Sequence, residues 1–136
     1  MKLTTLTISL TISLFLAFNF IQNQSLAQTD DTIYSLADEQ PNYPGGMAGF
    51  FKYIQTNLQY PEAAKAKGIE GRIFVEYVIE KDGSISGAKI LKGLNAECDK
   101  EAIRLVMNAE KWVPGKIDGK VVRVKMALPL NFKLPN

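Results

Sequence analysis

The 136-residue chain contains no histidine and only one cysteine, and these two shortages exclude a great deal. Without histidine there is no Ser-His-Asp or Cys-His arrangement, and the commonest neutral general base is missing. A zinc centre would have to be built almost wholly from carboxylates, against the metal's preference for nitrogen and sulfur. The lone Cys98 cannot form an internal disulfide, so the fold rests on its core. Because it falls on the apolar stripe of an expected helix, it reads as a small buried hydrophobe. Charge of one sign is also scarce. Sixteen basic residues face fourteen acidic ones, the net charge is +2, and the surplus is spread along the chain, which argues against nucleic acid as a partner. The glycines stand singly or in pairs at turns and form neither a phosphate loop nor a dinucleotide fingerprint. Glu76, Glu80 and Asp82 are close in sequence. The first two are expected on the outward face of a strand and the third in a turn, so they read as solvated charges rather than an acid/base pair. No catalytic, cofactor-binding or metal-binding residue is assigned, and the reading is of a binding protein rather than an enzyme.

The first residues have the layout of a secretory signal. Lys2 supplies a short charged region, an apolar stretch is densest from Leu14 to Ile21, and Ser25-Leu26-Ala27 gives a small-x-small cleavage site. Residues 1–27 are therefore expected to be a signal peptide. The hydroxyls of Thr4, Thr5, Thr7, Ser9, Thr11 and Ser13 dilute the hydrophobicity that a stable span needs. The alternative keeps residues 3–21 uncleaved as a membrane tether. No cysteine lies near the cleavage site, which excludes lipid attachment there. Removing 27 residues leaves a chain long enough for one core and too short for two.

Residues 28–43 form a polar, acidic tether with an expected turn of helix around Tyr34 to Ala37, and residues 44–136 form the domain. Tyr43-Pro44-Gly45-Gly46 punctuates the chain. After it, Met47, Phe50, Phe51, Ile54 and Leu58 fall at helical spacing, predicting a helix from about Gly46 to Leu58. Tyr60-Pro61 ends it and opens a short helical turn closed by Gly68. From Gly71 the period becomes two: Ile73, Val75, Tyr77 and Ile79 alternate, Lys81-Asp82-Gly83-Ser84 makes a turn, and Ile85 to Leu91 returns as a hairpin partner. Asn95 or Asp99 caps a second main helix with Cys98, Ala102, Leu105, Val106 and Ala109 on one stripe, and Trp112 closes it. Pro114-Gly115 and Asp118-Gly119 break the chain before the last strand. The fold class is α+β, a three-stranded antiparallel sheet with helices packed on one face.

The last strand carries the functional reading. Val122, Val124, Met126, Leu128, Leu130, Phe132 and Leu134 alternate with residues that are mostly polar. Pro129 cannot donate a ladder hydrogen bond, which places the strand at an edge of the sheet. A half-buried edge strand can pair its free backbone groups with an extended segment of another protein.

Five motifs in order, Gln59-Tyr60-Pro61-Glu62-Ala63-Ala64, Gly68-Ile69-Glu70-Gly71, Lys81-Asp82-Gly83-Ser84-Ile85, Trp112-Val113-Pro114-Gly115 and Leu128-Pro129-Leu130-Asn131-Phe132, resemble the C-terminal domain of TonB-type energy transducers. The likeness covers about Pro44 to Leu134. The Tyr-Pro-Gly-Gly opening and Leu-Pro-Leu-Asn-Phe ending look most like the version common in the Bacteroidetes. The resemblance implies a periplasmic domain that grips the TonB box of outer-membrane receptors as an added strand beside the last strand. Carried onto this chain, the grip is the backbone from Val121 to Phe132, with Val121, Val122, Arg123, Val124, Lys125, Met126, Ala127 and Leu128 as the main residues. Asn57, Gln59 and Tyr60 at the Tyr-Pro corner assist it.

Full-length transducers of this type also carry a membrane helix with a functional histidine and a long Pro-rich spacer. Here there is no histidine and no such spacer, and residues 28–43 reach about 55 Å at most when fully extended. Three expectations follow. The leading one is a small exported domain in TonB-dependent transport that binds the receptor peptide. The second is a short membrane-anchored transducer. The third is an envelope module that binds peptidoglycan or associates with itself, a homodimer through the edge strand being its simplest form.

Overall fold

Period-two burial builds the centre of the fold, and the computed structural model describes residues 30–136. The predicted leader at 1–27 and the alternative tether at 3–21 lie outside the described residues. Along the chain come β1 (Ile33–Tyr34), α1 (Gly46–Asn57), α2 (Glu62–Ala66), β2 (Gly71–Ile79), β3 (Ile85–Lys92), α3 (Ala96–Met107), β4 (Gly115–Ile117) and β5 (Lys120–Phe132). Among the described residues no helix is long and apolar enough to cross a membrane.

Strands β3, β2 and β5 form the expected antiparallel three-stranded sheet. Ile73, Val75, Tyr77 and Ile79 of β2 and Val124, Leu128, Leu130 and Phe132 of β5 turn to one face and are buried. Helix residues cover that face. Phe50 and Ile54 of α1, four residues apart, and Cys98, Ala102, Leu105 and Val106 of α3 close one apolar cluster with the strands. Tyr43, Phe50 and Trp112 pack ring against ring with centroids 4.9 to 5.3 Å apart, so Trp112 does close the core behind α3. Cys98 is fully buried in this cluster, and burial pushes its thiol up from the ordinary value, as expected of an inert packing residue.

Local chemistry sets the ends. Asn95 caps α3, its side chain accepting from the Cys98 amide at 2.8 Å, while Asp99 accepts the amide of Leu94 at 2.8 Å. At the β2–β3 turn Gly83 has φ +85 and passes so close to Trp112 that an added Cβ would lie 1.9 Å from its carbonyl oxygen.

Four expectations need correction. Around Tyr34 there is no helical turn: β1 runs parallel to β5, Ile33 opposite Arg123 and Tyr34 opposite Val124. Before β5 the chain forms a short hairpin strand, β4, joined through Asp118 and Gly119, both at positive φ as a tight two-residue turn requires. β5 starts at Lys120 and ends at Phe132, leaving Leu134 outside it, its amide tied to the Glu70 carboxylate at 2.6 Å. Finally, β5 is not at the edge of the sheet. The order is β1-β5-β2-β3, so β5 has a neighbour on each side at Val124.

Candidate functional site

The two flanks of β5 are unequal. Against β2 the register is unbroken from Ile79 opposite Val124 to Gly71 opposite Phe132, with Pro129 opposite Phe74. Proline has no amide hydrogen, so a regular ladder holds it only where that hydrogen would point away from the partner. Counting in twos from Pro129, the amides of Lys125, Ala127 and Asn131 point away from β2, and those of Val124, Met126, Leu128 and Leu130 point toward it. The closing pair of the tight hairpin, Ile117 and Lys120, follows the same count and puts β4 on the β2 side. On the outer flank, among the described residues, only the two residues of β1 pair with β5.

The parallel pairing of Tyr34 with Val124 takes the Lys125 amide as a donor to the Tyr34 carbonyl, so beyond it the outer flank presents two amide donors, at Ala127 and Asn131, and carbonyl acceptors at Lys125, Ala127, Pro129 and Asn131. The side chains of these four residues are exposed on the helix-free face. Backbone polar groups of this kind must be satisfied by water or by another chain. The far edge of the sheet is different. Among the described residues β3 has no strand beyond it, but its ladder with β2 shifts register twice, Gly87 has φ +58, and Lys89 and Lys92 are exposed. Bulges and lysines of this kind discourage strand addition. Of the two flanks open to strand addition, that of β5 is the regular one.

The residues expected at the site are placed as follows. Val121 and Val122 pair with Lys116 and Gly115 of β4. Arg123 and Val124 pair with β1. Lys125 is the last residue of β5 bonded to β1, and Met126, Ala127 and Leu128 lie on the stretch whose outer flank has no strand among the described residues, with Leu128 buried and Met126 half-buried on the helix-covered face. Asn57, Gln59 and Tyr60 belong to a second place, the corner between α1 and α2. Gln59, Tyr60 and Pro61 line a cleft of about 370 Å³ there, and Glu97, Lys100, Glu101 and Arg104 of α3 form its other wall. No β5 residue lines it. The two places are joined by Tyr60, whose ring meets Phe132 edge-on at 5.6 Å and whose hydroxyl donates to the Ile69 carbonyl.

Glu101 organises the corner. It is only 8% exposed, the one charged residue buried to that degree among the described residues. Its carboxylate accepts the Gln59 amide at 2.8 Å and a fork from Arg104 at 2.7 and 2.8 Å, and Arg104 also reaches the Asn57 carbonyl at 3.0 Å. Burial pushes the Glu101 carboxyl up, but the Arg104 fork and the Gln59 amide outweigh it, and the net shift is downward. The corner is thus held by a buried ion pair that orders the end of α1.

The helix-free face carries a ladder of ion pairs. Glu76 is 3.1 Å from Lys89 and 4.0 Å from Lys125, and Glu80 is gripped by Arg123 at 2.8 Å. Glu76 and Glu80 are therefore paired and partly buried rather than simply solvated as expected. The Arg123 and Ser86 hydrogen bonds hold the Glu80 carboxyl below its usual range. The sequence carried a signal for Glu101 and Arg104, which are three apart on a helix. It carried none for Glu80 and Arg123, which only the folded sheet brings together. No group of His, Cys, Asp and Glu among the described residues is arranged to hold a metal ion.

The architecture defines an α+β domain with one regular, largely unpaired strand flank and a polar corner cleft. The chain belongs to the family described as Gram-negative bacterial TonB protein C-terminal, whose profile matches residues 56–134. It is 35% identical over 102 residues to protein TonB of Helicobacter pylori strain J99, covering 71% of this chain and 36% of that protein. It is 31% identical over 75 residues to protein TonB of Pseudomonas aeruginosa, covering 55% of this chain and 22% of that protein. The chain thus spans well under half the length of these curated relatives. Two solution structures of the Helicobacter pylori TonB C-terminal domain superpose with TM-scores of 0.51 and 0.52 at 21% and 23% identity. They cover 66% and 64% of this chain and 81% and 91% of their own, a likeness of fold.

Proposed function

We propose that this domain works in TonB-dependent transport in the periplasm, binding an extended segment of an outer-membrane receptor, its TonB box, by strand addition to the outer flank of β5. The observation that carries this reading is the pattern of outward donors at Ala127 and Asn131, set by Pro129 and accompanied by a far edge, β3, that is unsuited to pairing. Main-chain hydrogen bonds supply affinity in such a mode, and alternate side chains supply selectivity. A strand laid beside Lys125–Asn131 would have one face continuous with Met126, Leu128 and Leu130 and the other beside exposed Lys125. An apolar alternation with an acidic residue near Lys125 fits that surface. Family membership supports the transport role, and the absence of histidine supports binding over catalysis.

Titration of labelled receptor TonB-box peptides against the protein tests the proposal. Saturable binding with amide shifts concentrated at Ala127 and Asn131 is the expected result. No binding at high micromolar peptide, accompanied by self-association, would move the function to an envelope or self-assembling module.

A further inference from the structure

Arg123 joins two parts of the chain. Its Nε and Nη2 donate to the two Glu80 oxygens at 2.8 and 3.0 Å, and its Nη1 donates to the Asp31 backbone carbonyl at 2.9 Å. Glu80 is itself fixed by the Ser86 hydroxyl. A guanidinium locked on one side by a fork presents its remaining donor in a fixed direction. On the outer flank of β5, this makes a receptor for the carbonyl of a passing strand. The chain's own arm fills it.

That arm is lightly held. β1 is two residues long, Ile33 is 43% exposed, and Leu36 just beyond it is 79% exposed, so little apolar surface is buried. The chain behind it is tied at three positions. Glu39 exchanges backbone hydrogen bonds with Lys116 at 3.0 and 2.9 Å, and Asn42 exchanges them with Val113 at 3.0 and 2.8 Å. Asp38 also accepts the Asp118 amide at 2.9 Å. Residues 38–42 are an anchor, and residues 31–34 hang from it across the flank.

We propose that Asp31–Tyr34 is a displaceable stand-in for the partner strand: a partner reaching the Arg123 end runs parallel to β5, gives a backbone carbonyl to Arg123, and takes the arm's place. This rests on the reading of the flank as peptide-accepting and adds the partner's direction and its intramolecular competitor. Tethered only a few residues from its anchor, the arm acts at an effective concentration in the millimolar range. Apparent affinity for a partner that needs the Arg123 end falls in proportion to the fraction of molecules with the arm released. A partner confined to Ala127–Asn131 escapes the competition.

The test uses a labelled synthetic peptide copying residues 29–36, titrated against the full chain and its Tyr34→Pro variant, which removes an amide donor from β1. The peptide should bind the variant at least about tenfold more tightly than the wild type. Adding Arg123→Lys, which keeps the charge but removes the fork, should abolish the gain. Equal affinity for wild type and variant overturns the proposal, as does a peptide that binds neither while a receptor peptide binds both alike. A receptor peptide that binds no form removes the peptide-accepting reading itself, so the two failures are distinguishable. Hydrogen exchange on the wild type gives a reading independent of any variant. The Tyr34 amide should exchange at least about tenfold faster than that of Asn42, and faster still when receptor peptide is bound. Exchange at Tyr34 as slow as at Asn42 would show a fixed strand and end the case.

Discussion

Pro129 of β5 lies directly opposite Phe74 of β2, in a register that runs unbroken on both sides of the pair. A proline in a strand with a full-length neighbour is tolerated only when its missing donor is turned from that neighbour. This one residue therefore fixes which backbone groups of β5 hold the sheet together and which face outward. The polarity of the flank, and so the place where a second chain can add, follows from it.

Proline substitution separates the two sets of groups. Ala127→Pro removes an outward donor that β1 does not reach and an exposed side chain, so stability should change by less than about 1 kcal/mol while peptide binding is lost. Val124→Pro removes an inward donor opposite Ile79 and disrupts a fully buried position, so it should cost about 3 kcal/mol or more. Urea titration and peptide binding on both proteins check the pair. If Ala127→Pro binds normally, the assignment of the flank is wrong.

Gly83→Ala should be among the most damaging small changes in the domain. Two costs coincide there: φ is +85, and the new Cβ would lie 1.9 Å from the Trp112 carbonyl oxygen. The Trp112 amide also donates to the Gly83 carbonyl at 2.9 Å, so the turn cannot move away without releasing the residue that closes the aromatic cluster. A loss above about 2 kcal/mol is expected in thermal or urea unfolding. Gly119→Ala, where nothing lies within 4 Å of the new Cβ, is the control that isolates the cost of positive φ alone.

The elements legible in the sequence were those whose burial is periodic. Ile73, Val75, Tyr77 and Ile79 announce a strand, and Cys98, Ala102, Leu105 and Val106 a helix, because each buries one face along its length. β1 was invisible for the opposite reason. Two residues carry no period, and the Arg123 contact that holds their arm spans 92 positions of sequence. Asp118-Gly119 was read as a break although Asp-Gly is the strongest two-residue hairpin signal; β4, at three residues, is too short to show alternation. Pro129 does not by itself make β5 an edge strand. It specifies an outward-facing donor position, which is compatible with a neighbour covering part of the same flank. The surroundings divide accordingly: β5 is legible as a strand, the Glu101–Arg104 pair shows only as a three-residue spacing on a helix, and the Glu80–Arg123 pair, 43 positions apart, leaves no trace.

The corner cleft depends on Glu101 more than on the residues that line its mouth. Glu101→Ala leaves the Gln59 amide without its acceptor and the Arg104 guanidinium, partly open to solvent, without its fork. A loss of about 1 kcal/mol is expected, the order of a lost hydrogen bond to a charged group where water can replace part of it. Lys100→Ala, an exposed residue on the same wall, should change stability by less than about 0.5 kcal/mol. If receptor peptide uses the corner as well as the strand, Lys100→Ala will weaken binding without altering the unfolding midpoint.

Acid should loosen the Arg123 end of the flank. Glu80 is held below its ordinary value first by the hydrogen bonds from Arg123 and then by that from Ser86; burial and the neighbouring Asp82 oppose them. A carboxyl whose folded value is lowered contributes stability that is fully present above its unfolded value and is lost as pH falls through the folded one. Between about pH 5 and pH 2 the wild type should therefore lose more stability than Glu80→Gln, whose amide does not titrate. Arg123 keeps its charge throughout, so what fails is its orientation: once Glu80 is neutral the fork relaxes and the bond to the Asp31 carbonyl goes with it. Urea unfolding of both proteins across that range, with hydrogen exchange at Tyr34 followed in parallel, measures both effects. A wild-type curve parallel to that of Glu80→Gln would show that the fork does not contribute to stability.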